Sequence, residues 1–163
     1  MTKGCEMETG LQELQLAGFR LGDNLFAVDI MRIKEIVTPQ KLSGFPLQNA
    51  ALEGMINLRG QVIPVMNLRA RFGMPPKPGG PGKLIIISVA GRLAALAVDD
   101  LDEVFSVQLR ELSPPPTMLE EVGAEFLIAV CLWNQSMYMV LHIDQLFSAA
   151  DPTLLHDAGG MSL

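Results

Sequence analysis

Apolar residues along this chain fall in short runs separated by glycine, proline and asparagine, the pattern of strands joined by tight turns. In "FRLGDNLFAVDI" two apolar segments flank Gly22-Asp23-Asn24, residue types that accept positive φ, which predicts a hairpin. "MRIKEIV" alternates, with Met31, Ile33 and Glu35 on one face and Arg32, Lys34 and Ile36 on the other, and reads as a further strand. Pro39 and Pro46 make "TPQKLSGFP" a loop or an edge segment. In "LEGMINLRGQVIPVMNLRARFG", strands Met55–Leu58 and Val62–Met66 surround Arg59-Gly60, and Pro64 places its strand at an edge or a bulge because it cannot donate to a ladder. Asn67 is a good N-cap for a short helix that pairs Leu68 with Phe72 at i and i+4 and ends at Gly73.

"MPPKPGGPGK" has the Pro/Gly density of a linker and divides the chain nearly in half. Beyond it, "KLIIISV", "LAALAV" and "DEVFSV" read as strands, "LSPPPTM" as an extended connection, and "FLIAVCLWNQSMYMVLHIDQLFS" as strand, turn, strand and short helix. That last block overlays the "LEGMINLRG" block about 75 positions earlier, with Gly54 on Ala129, Arg59 on Asn134, Pro64 on Met139, Asn67 on His142 and Phe72 on Phe147. Val28-Asp29 before Glu35-Ile36 is answered by Val98-Asp99 before Glu103-Val104. An internal duplication with about five strands per half predicts an all-β fold of two related five-stranded β-barrels side by side, because closure removes exposed edges. The expected organisation is a flexible tail over 1–13, a domain over 14–148 and a partly helical tail over 149–163, with a helical turn near Leu154-Leu155. Within the domain, a first barrel spans about 14–74, a linker 75–82 and a second barrel about 83–148.

Composition narrows the function. With 49% hydrophobic and 18% charged residues the chain is a folded module, and a net charge of -6 disfavours a phosphate-backbone partner, so no nucleic acid is expected. No apolar run is long enough to span a bilayer, and Met1–Glu6 lacks the basic start and apolar block of a secretory signal, so the expectation is a cytoplasmic protein without membrane insertion. Cys5 and Cys131 do not form a disulfide framework. An enzyme would have to rest on His142 or Cys131. His142-Ile143-Asp144 lacks a further metal ligand, and Cys131 lies mid-strand between Val130 and Leu132, where a thiol is packing. The acidic group Asp99, Asp100, Asp102 and Glu103 reads as a solvated connection. The reading is therefore a non-catalytic module without cofactor or metal, whose paired barrels can hold partners together.

"FRLGDNLFAVDIMRIKEIV", "LEGMINLRGQVIPVMNLRARFGMP", "GRLAALAVDDLDEVF" and "LSPPP" resemble, in order, the blocks of the CheW family, the coupling proteins of bacterial chemotaxis, over roughly Leu16 to Ser148. The resemblance implies two five-stranded barrels around a joint core, and no catalytic activity or cofactor. It implies as partners the regulatory domain of a CheA-type histidine kinase and the cytoplasmic hairpin tip of chemoreceptors, with recruitment to receptor arrays. A related scaffold serving a chemosensory pathway with a non-motility output is the alternative within the family.

Carried over residue by residue, the receptor-binding region maps to Ile33, Glu35, Gly54, Asn57 and Arg59, and Met118 takes the place of an apolar kinase contact. The plainer alternatives are core packing for Ile33, a solvated charge for Glu35 and a half-buried loop position for Met118. The Arg59 fork can bind a carboxylate bidentately, either Glu35 or one on a partner. Asn67, Ala129 and His142 depart from the family's usual Asp, Gly and Asp or Asn.

Overall fold

The computed structural model describes residues 12–41, 52–115 and 124–150. In chain order the strands are β1 (Glu13–Leu21), β2 (Asn24–Asp29), β3 (Ile33–Val37), β4 (Leu52–Leu58), β5 (Gln61–Asn67), β6 (Lys83–Val89), β7 (Arg92–Val98), β8 (Asp100–Gln108), β9 (Leu127–Trp133) and β10 (Ser136–Leu141). Helix α1 (Leu68–Arg71) follows β5, α2 (Ile143–Ala150) follows β10, and single 3-10 turns include Ile30–Arg32 before β3 and Leu109–Glu111 after β8. The expected hairpins and the short helices after β5 and β10 are in place; the helical turn near Leu154-Leu155, the tail over 1–11 and the loop around Pro46 lie outside the described residues. Asn67 caps α1 by accepting from the Ala70 N–H at 3.2 Å, and Gly73 takes φ 73° just after it.

The strands form two five-stranded sheets, one in the order β8-β1-β2-β10-β9 and the other β3-β6-β7-β5-β4. Replacing each strand by its counterpart in the other half converts one order into the other, so the duplication is a structural one. The strands are not partitioned at the linker, as separate barrels over 14–74 and 83–148 would require. Each sheet takes its first hairpin from one half and its other three strands from the other. β2 lies parallel to β10 (Leu25 opposite Tyr138), and β5 lies parallel to β7 (Val65 opposite Ala95).

Burial explains the exchange. In β6, Leu84 and Ile86 point into the interior of their own sheet with Ile56, Leu58, Ile63 and Val65, while Ile85, Ile87 and Val89 enter a joint core between the sheets. The β7 side chains divide in the same way, Ala95 and Ala97 to one side and Ala94, Leu96 and Val98 to the other. A strand with both faces covered reads as an unbroken apolar run, which is what "KLIIISV" and "LAALAV" are. Phe19, Phe26, Phe126 and Phe147 fill the joint core, and Phe105, Cys131, Tyr138 and Val140 fill the interior of the sheet that holds β1.

Two expectations are corrected. Among the described residues neither sheet is closed into a barrel by a continuous ladder. The gap between edges β8 and β9 is spanned by the segment after β8, whose Ser113 forms a single backbone bridge with Val130, and by the Phe105–Trp133 stack at 4.5 Å. Edges β3 and β4 are joined through side chains, as described below. Pro64 is not on an edge strand either, because β5 lies between β4 and β7. Its missing donor is tolerated because the parallel ladder to β7 covers only Val65, Met66 and Asn67.

The Pro/Gly stretch is a strap rather than a free linker. Gly82 donates to the Val98 carbonyl at 2.9 Å, and a β-carbon there would stand 2.0 Å from the Asp99 carbonyl oxygen. Backbone meets backbone at that point, and neither side can give way. Gly82→Ala is expected to cost at least about 2 kcal/mol in urea denaturation. Gly79→Ala, where the added carbon meets only open space but φ is +85°, is expected to cost about 1 kcal/mol.

Candidate functional site

The β4–β5 turn carries its two central residues at positive φ, 52° for Arg59 and 86° for Gly60. The Asn57 side chain stabilises it by accepting from the Gly60 N–H at 2.8 Å. The equivalent β9–β10 turn has Asn134 at the same φ of 52°. Asparagine tolerates this region and arginine does not, so Arg59 carries a local conformational cost of roughly 1 kcal/mol.

The Arg59 guanidinium reaches across to β3. Its Nη1 donates to Glu35 Oε2 at 3.2 Å and its Nη2 to Glu35 Oε1, a two-pronged pair with the side chains 69% and 33% exposed. Hydrogen bonding to Arg59 holds the Glu35 carboxyl below its usual range, and Glu35 raises Arg59 in turn. Because β3 and β4 are the two edges of their sheet, this pair joins them where the backbone does not. The carboxylate that the fork binds is therefore the chain's own Glu35.

The predicted residues divide into two groups. Glu35, Asn57 and Arg59 meet at one open end of the sheet, where Val62, directly opposite Asn57, is also exposed. Ile33 is half-buried against the joint core, and Gly54 is buried in β4 beside a register shift. Met118 lies outside the described residues.

Two further ion pairs escaped the sequence reading. Arg69, in α1, donates from Nε to Asp99 Oδ1 at 2.8 Å and from Nη2 to Asp99 Oδ2 at 2.6 Å, with side chains only 15% and 12% exposed. The same carboxylate accepts from the Gly22 N–H at 2.7 Å, and Arg69 Nη1 reaches the Pro75 carbonyl at 2.7 Å. One knot thus holds α1, the β1–β2 turn, the strap and the crossover from β7 to β8. Its counterpart joins Arg32, in the crossover from β2 to β3, to Asp144 at the start of α2 at 2.6 Å. Asp144 stands 75 positions after Arg69, so the two short helices carry opposite charges at an aligned position, and each faces an opposite charge on a crossover. An opposite-charge substitution between aligned positions was the available signal.

The acidic cluster is a solvated connection only in part: Asp100 and Glu103 are exposed, Asp99 is mostly covered in the knot, and Asp102 accepts from the Tyr138 hydroxyl. Burial is the main cause that pushes the Tyr138 phenol up, with the Asp102 hydrogen bond and charge adding to it. The Cys131 thiol is buried and its pKa is raised by that burial and by Glu111. His142 caps α2, its Nδ1 accepting from the Gln145 N–H at 3.3 Å. A cavity of about 70 Å³ beside the knot is lined by Asn67, Arg69, Lys77, Pro81, Ala97 and Asp99. Among the described residues no three His, Cys, Asp or Glu side chains cluster as metal ligands, and no helix is long and apolar enough to cross a membrane.

Known proteins resemble this chain over most of the described region. The profile of the CheW-like domain matches residues 15–151. The chain is 32% identical over 145 residues to the chemotaxis protein CheW of Treponema pallidum (strain Nichols), covering 86% of this chain and 85% of that one. It is 30% identical over 138 residues to the probable chemotaxis protein CheW of Rhizobium etli, covering 84% and 89%. Among solved structures, the scaffolding protein TtCheW from Thermoanaerobacter tengcongensis superposes with a TM-score of 0.74 at 28% identity, covering 82% of this chain and 87% of that one.

The Arg69–Asp99 contact yields a pH-dependent prediction. Hydrogen bonding to Arg69 lowers the Asp99 pKa from its ordinary 3.8. Its stabilisation is therefore complete above that value and is lost as the pH falls through the lower folded-state pKa. Asp99→Asn should lower unfolding free energy by about 2–4 kcal/mol near neutral pH, by breaking a mostly buried pair. The difference from wild type, followed by urea denaturation, should shrink as the pH drops below the ordinary Asp range.

Proposed function

The chain belongs to the CheW-like domain family, and from that premise we propose that it is a non-catalytic adaptor coupling chemoreceptors to a CheA-type histidine kinase in a chemosensory array. The observation that carries this reading is the exposed end of the sheet where Glu35, Asn57 and Arg59 meet. The turn there accepts a backbone cost to present a guanidinium. The second copy of the turn, with asparagine at the same φ, avoids most of that cost. A fixed, outward-facing charge pair suits recognition of a polar helical surface, because its geometry is organised before the partner arrives.

In this reading the receptor's cytoplasmic hairpin docks against Glu35, Asn57 and Arg59, with Ile33 and Gly54 shaping the backbone beneath. The kinase regulatory domain binds elsewhere, with Met118 among its contacts. Both partners are proteins, and no cofactor enters. Placing two binding sites on one rigid body converts their encounter into a local one, which is how an adaptor raises coupling without chemistry of its own.

The test uses the full chain with a receptor cytoplasmic fragment and with the kinase regulatory domain, each titrated by calorimetry. Binding to both is expected, and binding to neither would sink the proposal. Arg59→Asn separates recognition from folding. It places the residue of the second turn at the same φ, so thermal stability should stay within about 1 kcal/mol of wild type. Receptor affinity should fall about tenfold with loss of the charged fork. Unchanged receptor affinity in this variant would remove Arg59 from the site.

A further inference from the structure

The strand that carries Ile33 and Glu35 is weakly held. β3 has five residues, lies at a sheet edge with β6 as its one paired neighbour among the described residues, and slips register between Ile33 and Glu35. Its counterpart β8 has nine residues and pairs along most of β1. A short edge strand with a slipped register opens locally at low cost, so something besides its ladder must fix the position of Glu35.

Arg32 stands immediately before the strand and ties it to two other elements. Its Nε and Nη2 donate to the Ser88 carbonyl of β6 at 3.0 and 2.8 Å. Its Nη2 also donates to Asp144 Oδ1 at 2.6 Å, and its Nη1 approaches Asp144 Oδ2 at 3.5 Å. The backbone of the turn is fixed in turn by Asp29, whose Oδ1 accepts from the Met31 N–H at 2.9 Å. A planar guanidinium bound on two sides fixes orientation as well as distance, which a single point charge would not do.

We infer that Arg32 and Asp144 are positioning residues: a clamp that holds β3 so that Glu35 meets Arg59, and thereby sets the partner-binding edge from helix α2 of the other half. The inference rests on the reading of the Glu35–Arg59 end as a receptor site. Exposure separates this clamp from its mirror, Arg69–Asp99. The Arg32 and Asp144 side chains are 31% and 49% exposed, so solvent screens the pair and its loss changes global stability little. Its effect is local, on the strand that follows. The buried mirror pair, by contrast, bears on the whole fold.

Hydrogen exchange and binding on the full chain test the clamp. In Asp144→Ala, amides of Ile33–Val37 should exchange at least about fivefold faster while those of β6 and β7 keep their protection. Arg32→Met leaves α2 untouched but removes the Ser88 hydrogen bonds together with the Asp144 contact, and should speed exchange of Ile33–Val37 at least as much. Each variant should bind the receptor fragment about fivefold more weakly, and the double variant no more weakly than the worse single one, since both act through one contact. Asp144→Glu, which keeps the carboxylate, should restore most of the protection and the affinity. Unchanged β3 exchange in both single variants would overturn the clamp. Faster exchange with unchanged receptor affinity would overturn its positioning role and leave the adaptor reading standing. A wild-type chain that fails to bind the fragment, yet shows accelerated β3 exchange in Asp144→Ala, would overturn the adaptor reading and support the clamp as a structural element alone.

Discussion

Neither half of this chain can bury its own apolar surface, because each half's first hairpin is apolar on both faces and is covered only when strands of the other half flank it. The β6–β7 hairpin has one face in a sheet interior and the other in the joint core, so exposing either would leave isoleucine, leucine and alanine side chains in water. Exchange of hairpins between the halves follows from that requirement. It also makes the two crossovers, at Ile30–Arg32 and at Asp99, the points where the chain passes from one sheet to the other.

Both crossovers are fastened by an arginine–aspartate pair to the short helix of the opposite half. At Asp99 the pair is mostly covered, linked to Gly22 and Pro75, and pressed by the strap so closely that only glycine fits at position 82. At Arg32 it is more exposed and adjoins the edge strand that supplies Glu35. The two helices thus retain one geometric task while the charge at their aligned position, Arg69 and Asp144, is reversed. A fold with related halves can diverge in this way, since an ion pair depends on the product of its charges and not on which partner carries which sign.

The Arg59 turn shows the same division of labour. The fold requires positive φ there and asks for little else, as Asn134 demonstrates in the second copy. Arginine adds a two-pronged contact to Glu35 that joins the edges of its sheet and leaves a charged, ordered end facing solvent. One side chain joins the sheet edges and, in the proposed function, also presents the recognition surface. Asparagine there keeps the backbone conformation and removes the Glu35 contact without adding an opposing charge, which a charge reversal would do.

Local physics made much of this protein readable from its residues. Glycine at turns, Asn67 as a cap, apolar runs of strand length and the internal repeat all depend on near neighbours in the chain, and the family blocks pointed to Glu35, Asn57 and Arg59. What only the tertiary structure decided is which strand lies beside which. An apolar run buried on both faces looks the same whichever half supplies its neighbours, so periodicity could not distinguish two sequential barrels from two sheets that exchange hairpins. For the same reason Asp99 passed for a solvated acid. Its partner Arg69 is distant in sequence, and the burial that makes the pair matter exists only once the sheets have packed together.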